Sequence, residues 1–136
     1  MRTRSAAIIL EDDRVALIKR VRNGDVYYVF PGGGVEKGES KEQAAIREVH
    51  EELGVTVSLT DLYAEVDFNG KQYYYLAQLV GGEFGTGMGE EYQLKETDRG
   101  TYEPVWIELN ELNGLDVKPA EVARSLYSLR KTADSR

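Results

Sequence analysis

Three glutamates on one predicted helical turn are the residues best suited to chemistry in this 136-residue sequence. Glu48, Glu51 and Glu52 have the spacing i, i+3 and i+4, so a helix places their carboxylates within an arc of about 100°. Like charges at this spacing destabilise a helix, and near the C-terminal end the helix dipole disfavours anions as well. Two penalties on one turn indicate a missing positive partner, for which a hard divalent cation is the natural candidate.

The alternative is that these glutamates form a solvated helix face, as clustered acids commonly do. The longer pattern decides between the two. Residues 33–55, GGVEKGESKEQAAIREVHEELGV, match G-x5-E-x7-R-E-U-x-E-E-x-G-U, with U aliphatic, at every fixed position. The segment resembles the Nudix box, and the chain resembles a small Nudix hydrolase of the MutT-like kind. The matching positions are Gly33, Glu39, Arg47, Glu48, Val49, Glu51, Glu52, Gly54 and Val55.

This resemblance implies a reaction and a metal site. Members of the family cleave a nucleoside diphosphate linked to another group X, and they use Mg2+ or Mn2+. The reaction is attack by water on one phosphorus of the diphosphate. The implied metal ligands are the backbone carbonyl of Gly32 and the carboxylates of Glu48, Glu51 and Glu52.

The resemblance also assigns roles to residues around the metal site. Arg47 and Glu39 match residues that orient the catalytic turn through an ion pair. Gly33 matches a position where the loop approaches the metal, and Gly54 matches the end of the helix. Glu48 is our first choice for the general base, although the base is not always the same residue within the family.

A further acidic ligand often comes from outside the box in this family. The candidates are Glu90, Glu91, Glu96 and Asp98. We favour Glu96 because it shortly precedes the late strand that contains Trp106. The alternative for each of them is an exposed acid on a loop.

Substrate contacts are expected just before the box. Arg20 and Arg22 could meet phosphates, while Tyr28 and Phe30 could stack on a base or, as the alternative, pack within a half-buried strand. Gly33 completes the expected substrate-binding set. Tyr73 lies near the position at which diadenosine-polyphosphate members of the family carry a tyrosine.

We therefore expect a metal-dependent pyrophosphohydrolase of nucleoside diphosphate-linked compounds, first of all of nucleoside triphosphates or their modified forms. The shortness of the chain favours this class, because larger ADP-ribose and NADH hydrolases carry an extra domain. The alternatives are hydrolysis of diadenosine polyphosphates, ADP-ribose or nucleotide sugars, removal of pyrophosphate from RNA 5′ ends, and nucleotide sensing without catalysis.

Composition restricts the partners. The 17 basic and 24 acidic side chains give a net charge of −7, which disfavours long nucleic acids and anionic membranes as partners. A small nucleotide substrate remains compatible when a divalent cation lies between it and the acids. The absence of cysteine excludes disulfides and fits a reducing compartment, so we expect a cytoplasmic protein. The resemblance to the family implies a monomer or homodimer.

The predicted helices and strands indicate an α/β (α+β) fold. Together with the resemblance, they predict an α/β/α sandwich of the Nudix type, with a mixed sheet, a catalytic loop–helix–loop and a C-terminal helix. Ser40 and Gln43 form a capping box that predicts the start of the central helix, and Pro119 is expected to begin the last helix. Pro31–Gly34 is predicted to break all regular structure.

Residues 1–131 are expected to form one domain and 132–136 a flexible tail. The predicted strands are Ser5–Leu10, Val15–Val21, Val26–Phe30, Val55–Leu59, Leu62–Phe68, Gln72–Val80 and Tyr102–Leu109.

Overall fold

The computed structural model describes residues 3–67, 70–86 and 100–134. Within these ranges no helix is both long and apolar enough to cross a membrane. In chain order the elements are β1 (Arg4–Glu11), β2 (Arg14–Arg22), β3 (Asp25–Val29), β4 (Gly32–Gly34), α1 (Lys41–Leu53), β5 (Val55–Asp67), β6 (Lys71–Gly82), β7 (Thr101–Glu108), a 3-10 helix (Leu109–Gly114), β8 (Val117–Lys118) and α2 (Ala120–Asp134).

The strands form one mixed sheet in the order β5-β6-β1-β2-β3-β8, in which β4 also pairs with β1 and β7 with β2. Strand β1 joins its two halves. It runs parallel to β6 along most of its length and antiparallel to β4 over its first three residues. It pairs with β2 only at its end, where Leu10 lies opposite Val15. The change of partners curls the sheet and leaves the short strand β4 beside the start of β1.

Both faces of the sheet are buried, as the sandwich prediction requires. Along β1, Ala6 and Ile8 join a core cluster with α2 and the 3-10 helix, whereas Ala7 and Ile9 join a second cluster with α1. This alternation follows from the two-residue period of a strand. The two helices therefore pack on opposite faces, and the predicted three-layer architecture is confirmed.

Helix α1 begins and ends where the sequence predicts. The Gln43 N–H donates to Ser40 Oγ at 3.0 Å, and the Ser40 N–H donates to Gln43 Oε1 at 2.9 Å, which completes the capping box. At the other end Gly54 is left-handed with φ 80°, and its N–H donates to the His50 carbonyl at 3.0 Å. Both helix boundaries are set by local interactions.

The prediction that Pro31–Gly34 breaks all regular structure is wrong. Gly32, Gly33 and Gly34 form strand β4, in which Gly33 lies opposite Ser5. A Cβ at Gly32 would overlap the Ser5 carbonyl and lie 2.5 Å from the Ala6 Cβ. Glycine therefore permits a close approach of two backbones at this position, and the predicted break is a strand instead.

Several element boundaries also differ from the prediction. Val55–Leu59 and the following strand are one continuous strand, β5, with register shifts such as that between Leu59 and Asp61. The irregular pairing explains why the sequence pattern is interrupted there. Helix α2 begins one residue after Pro119 and continues through Asp134. The 3-10 helix and β8 were not predicted, and Phe68 lies outside the described residues.

Candidate active site

A cleft of about 770 Å³ opens between β4, the neighbouring strands of the sheet and the start of α2. Helix α1 contributes the carboxylates of Glu48 and Glu52, and β4 contributes backbone. Because α1 and α2 lie on opposite faces of the sheet, the cleft brings together side chains from both outer layers. Its polar and charged lining also includes Arg4, Ser5, Arg20, Gln72, Tyr73, Tyr74, Tyr102, Lys118 and Glu121.

Strand β4 and α1 are joined at Glu52. The Gly32 N–H donates to Glu52 Oε1 at 2.8 Å across 20 residues of chain. A hydrogen bond to a charged acceptor is stronger than one between neutral groups. This contact holds the glycine strand against the C-terminal half of the helix.

Gly33 lies directly beneath Glu48. A Cβ at this position would be only 2.7 Å from Glu48 Oε1 and would overlap the rest of the carboxylate. The missing side chain therefore leaves room for the Glu48 carboxylate against the strand. Any larger residue at position 33 would force Glu48 to move.

Arg47 binds the loop that precedes the helix. Its Nε donates to Glu39 Oε2 at 2.7 Å, and its Nη2 donates to Glu39 Oε1 at 3.0 Å and to the Gly34 carbonyl at 3.0 Å. The Glu36 N–H also donates to Glu39 Oε1. The structure thus brings Arg47 and Glu39 together in a bidentate ion pair, the geometry that the planar guanidinium favours.

The same guanidinium reaches toward the glutamates of the box. Arg47 Nη1 donates to Glu48 Oε2 at 3.0 Å and to Glu51 Oε1 at 3.3 Å. The hydrogen bond from Arg47, together with the Glu36 N–H, lowers the pKa of Glu39. The hydrogen bond to Glu39, aided by Glu48 and Glu51, raises the pKa of Arg47. The Arg47–Glu39 ion pair therefore stays ionised at neutral pH.

The three box glutamates are only partly arranged as ligands for a hard divalent cation. Glu48 and Glu52 line the cleft and offer the carboxylate oxygens that Mg2+ prefers. Glu51 does not line it, and its side chain is 49% exposed beside Arg47. Within the described residues, no three acidic or histidine side chains already converge on one point. The four candidate acidic ligands from outside the box are not among the residues that the structure describes: Glu90, Glu91, Glu96 and Asp98.

Only some of the expected substrate residues reach the cleft. Arg20, Phe30 and Gly33 line it. Arg22 instead lines a separate cavity of about 350 Å³ at the outer end of β2 and β3. Tyr28 packs against the core cluster under α2 and is not among the cleft residues. Arg20 and Arg22 differ in this respect because Arg22 is the last residue of β2 and lies beyond the cleft.

Arg20 is held by two neighbouring strands. It lies opposite Tyr27 on β3 and opposite Tyr102 on β7, and its guanidinium carbon is 3.7 Å from the Tyr102 ring centroid and 5.7 Å from that of Tyr27. Its Nε donates to the Thr101 carbonyl at 3.2 Å. Tyr102 was missed by the sequence analysis, because only the register of β7 on β2 places it beside Arg20.

The floor of the cleft is aromatic. Phe30 and Tyr74 meet edge to face, with ring centroids 5.7 Å apart. The Tyr74 hydroxyl donates to Gln72 Oε1 at 2.7 Å, and burial raises the pKa of Tyr74 to about 12, so the phenol stays neutral at physiological pH. Tyr74 was not predicted as a cleft residue, since it belongs to a run of three tyrosines whose facing depends on the register of β6.

Comparison with known proteins identifies the family. A family model described as NUDIX domain matches residues 1–129. The chain is 36% identical over 93 residues to the 8-oxo-dGTP diphosphatase of Escherichia coli, an alignment that covers 67% of this chain and 65% of that protein. It is 34% identical over 88 residues to the ADP-ribose pyrophosphatase of Methanocaldococcus jannaschii, covering 59% and 52% of the two chains.

A solved structure gives the same result for the fold. The NUDIX hydrolase from Nitrosomonas europaea superposes with a TM-score of 0.69 at 23% identity, covering 96% of this chain and 90% of that one. The chain spans between 39% and 65% of the lengths of the first curated relatives that it matches. The family model extends over nearly the whole sequence and includes the complete box. The chain therefore belongs to the Nudix hydrolase family.

Proposed function

We propose that this protein is a divalent-metal-dependent pyrophosphohydrolase that cleaves a diphosphate linkage in nucleoside diphosphate-linked compounds. Nucleoside triphosphates and their modified forms are the first substrate class. The metal is Mg2+ or Mn2+, both of which accept carboxylate ligands. The observation that carries this proposal is the composition of the cleft, in which Glu48 and Glu52 share one space with Arg4, Arg20 and Lys118.

This arrangement suits a polyphosphate because the carboxylates would bind a metal ion while the basic side chains would bind phosphate oxygens. The carboxylates of Glu48 and Glu52 would hold the cation, with Glu51 as a further ligand and the Gly32 carbonyl as a backbone ligand. When bound, the cation neutralises phosphate oxygens and lowers the pKa of a coordinated water. Arg20 and Lys118 supply positive charge for phosphates within a protein of net charge −7. The phosphates would therefore contact cations of two kinds.

The residues of this chain then have distinct roles. The Gly32 N–H orients Glu52, and Arg47 holds Glu48 against the glycine strand. Glu48 is our choice for the base that accepts the proton of the attacking water. As the new bond between water oxygen and phosphorus forms, the bridging bond breaks and the electron pair leaves with a phosphate group. Phe30 and Tyr74 would provide an apolar floor for the nucleoside.

Two relatives with different substrates support this class of reaction and leave the choice of substrate to experiment. One is named 8-oxo-dGTP diphosphatase and the other ADP-ribose pyrophosphatase. Both names describe cleavage of a diphosphate bond. Modified triphosphates and ADP-ribose therefore belong together in one substrate panel, with diadenosine polyphosphates and nucleotide sugars.

A nucleotide sensor without catalysis is the second candidate. We rank it below the enzyme because every fixed position of the box is intact. Hydrolysis of the panel with Mg2+ or Mn2+, followed by identification of the products, separates the two, and the products also report which phosphorus is attacked. RNA 5′ ends are included as a third class, for which strongly salt-sensitive binding would be expected.

The site assignment is tested by Glu52→Gln. This change keeps the shape of the side chain but removes the charge beside Gly32, so we expect turnover to fall by about a hundredfold or more, a typical size for loss of an electrostatic catalytic group. Glu42→Gln is the matched control, because Glu42 is an exposed acid in the first turn of the same helix. The assignment is wrong if Glu52→Gln hydrolyses a confirmed substrate as fast as the control.

A further inference from the structure

A second cavity lies next to the cleft, at the outer end of β2 and β3. Its volume is about 350 Å³, and we call it the outer cavity. The charged groups of its lining, among the described residues, are two cations and two carboxylates: Arg22, Lys118, Asp25 and Asp116. The proposed function uses only Lys118 of these four, so the other three side chains have no part in the chemistry of the cleft.

The outer cavity and the cleft adjoin each other, and Lys118 lines both. Arg20 of the cleft lies opposite Tyr27 of the outer cavity, and its guanidinium carbon is 5.7 Å from the Tyr27 ring centroid. Arg22 is two residues beyond Arg20 on β2, so the two side chains leave the same face of the sheet about 7 Å apart. A substrate whose phosphates contact Arg20 and Lys118 would therefore extend its next chemical group into the outer cavity.

The charge balance of the outer cavity disfavours a further phosphate there. Lys118 Nζ is 3.9 Å from Asp116 Oδ2, and Asp25 lies directly opposite Arg22 in the pairing of β2 and β3. Each cation of the described lining therefore has a carboxylate close by, which would repel a phosphate. The group that enters the outer cavity should be uncharged.

The Tyr27 ring of the outer cavity is poorly suited to stack on a second nucleobase. Lys118 Nζ is 5.2 Å and Arg20 Cζ is 5.7 Å from its centroid, so the ring already contacts two cations. A base would have to displace these contacts. The volume of the outer cavity is also near the lower limit of ordinary ligand pockets. Both observations favour a small group without an aromatic ring.

A sugar ring fits the chemistry of the outer cavity. Each hydroxyl of a sugar can both donate and accept a hydrogen bond. The carboxylates of Asp25 and Asp116 accept, whereas the side chains of Arg22 and Lys118 donate. A ring with several hydroxyls can therefore pair with both kinds of group, and it is neutral, so it leaves their charge balance unchanged.

We infer that the outer cavity is a second binding site, which takes a neutral sugar joined to the far phosphate of the substrate. The inference rests on the proposed function, in which the diphosphate lies beside Arg20 and Lys118, and it adds sugar-linked nucleoside diphosphates to the triphosphates named there. In such a substrate the water oxygen bonds to one phosphorus and the water proton passes to the general base. The bridging bond from phosphorus to oxygen breaks, and its electron pair leaves with the departing phosphate. The products are a nucleoside monophosphate and a sugar phosphate.

The first experiment removes both carboxylates of the outer cavity by combining Asp25→Ala with Asp116→Ala in the full-length protein. Both residues are exposed, so the fold should be retained. We expect kcat/KM for ADP-ribose and UDP-glucose to fall by about tenfold, because two charged acceptors of sugar hydroxyls are lost. For a nucleoside triphosphate kcat/KM should stay the same or rise, because two negative charges near its phosphates are removed.

Asp61→Ala is the matched control, since Asp61 is an exposed aspartate on β5, at the opposite edge of the sheet. We expect it to change neither activity by more than about twofold. Equal changes for the sugar-linked substrates and the triphosphate in the double variant overturn the inference. Cleavage of triphosphates by a wild type that cleaves no sugar-linked compound overturns it as well.

The second experiment uses the wild-type protein with Mg2+ chelated, so that it depends on neither turnover nor the folding of a variant. Nitrogen-15 NMR compares ADP-ribose with ADP, and UDP-glucose with UDP, at millimolar concentration. We expect the backbone amides of Asn23, Asp25 and Lys118 to shift more with the sugar-linked member of each pair. Equal shifts within both pairs, or shifts confined to the cleft, overturn the inference. A protein that hydrolyses no compound of the panel would contradict the proposed function alone, because this comparison decides the sugar site without hydrolysis.

Discussion

Two arginines of the cleft region show how differently one side chain can be held. Arg47 lies among carboxylates, and four of its five hydrogen bonds go to Glu39, Glu48 or Glu51. Arg20 lies between the rings of Tyr27 and Tyr102, with a backbone carbonyl as hydrogen-bond acceptor. The first environment neutralises the guanidinium charge, whereas the second orients the guanidinium against aromatic rings.

The difference indicates different tasks. An arginine surrounded by carboxylates has little positive potential left for a substrate, so Arg47 acts mainly on the protein itself. Arg20 is stacked on aromatic rings and lines the cleft, so it is placed where it could contact an anion. Substitutions at the two positions should therefore change different measured quantities.

The largest effect is expected for Arg47→Ala. Its removal leaves the carboxylates of Glu39, Glu48 and Glu51 to repel one another and leaves the Gly34 carbonyl without its donor. We expect the free energy of unfolding to fall by about 2 kcal/mol, as for loss of a partly buried charged network, and turnover to fall by about a hundredfold. Urea unfolding and steady-state kinetics measure the two effects. Equal stability losses for Arg47→Ala and Arg20→Ala would contradict the comparison.

A smaller and more selective effect is expected for Arg20→Leu. Loss of one charge-assisted contact with phosphate costs about 1.5 to 3 kcal/mol, so KM should rise by between about tenfold and about a hundredfold. We expect kcat to change by no more than about threefold, because Arg20 belongs to the sheet side of the cleft and not to the glutamate turn. Arg20→Lys keeps the charge but loses the stacking geometry and should give an intermediate KM. A fall in kcat at constant KM would instead assign Arg20 to the chemical step.

The smallest effect concerns pH. The hydrogen bond from Arg47 lowers the pKa of Glu39 in the folded protein below its ordinary value of 4.5. This interaction therefore stabilises the fold above pH 4.5 and is lost as the pH falls through the lowered pKa. We expect the unfolding midpoint in urea to decrease more steeply below pH 4.5 for the wild type than for Glu39→Gln. Parallel curves for the two proteins would show that Glu39 contributes nothing to acid sensitivity.

The same pair of arginines shows how far the sequence could be interpreted. Arg47, Glu39 and Glu48 lie within ten residues of one another, and their spacing on one capped helix and its loop predicts their proximity. The family, the fold class and the limits of α1 were all predicted correctly from such local patterns. The tyrosines around Arg20 could not be predicted, since Arg20 and Thr101 are 81 residues apart.

The sequence by itself determined the helix with its glutamates, because capping boxes, helical period and glycine termination act over a few residues. Only the tertiary structure decided that Gly32–Gly34 pairs as a strand and that Arg20 reaches the cleft while Arg22 does not. It also decided that Lys118 lines the same cleft from strand β8. These placements depend on strand register and on the packing of two helices across the sheet. Contacts distant in sequence set both, and no local pattern encodes them.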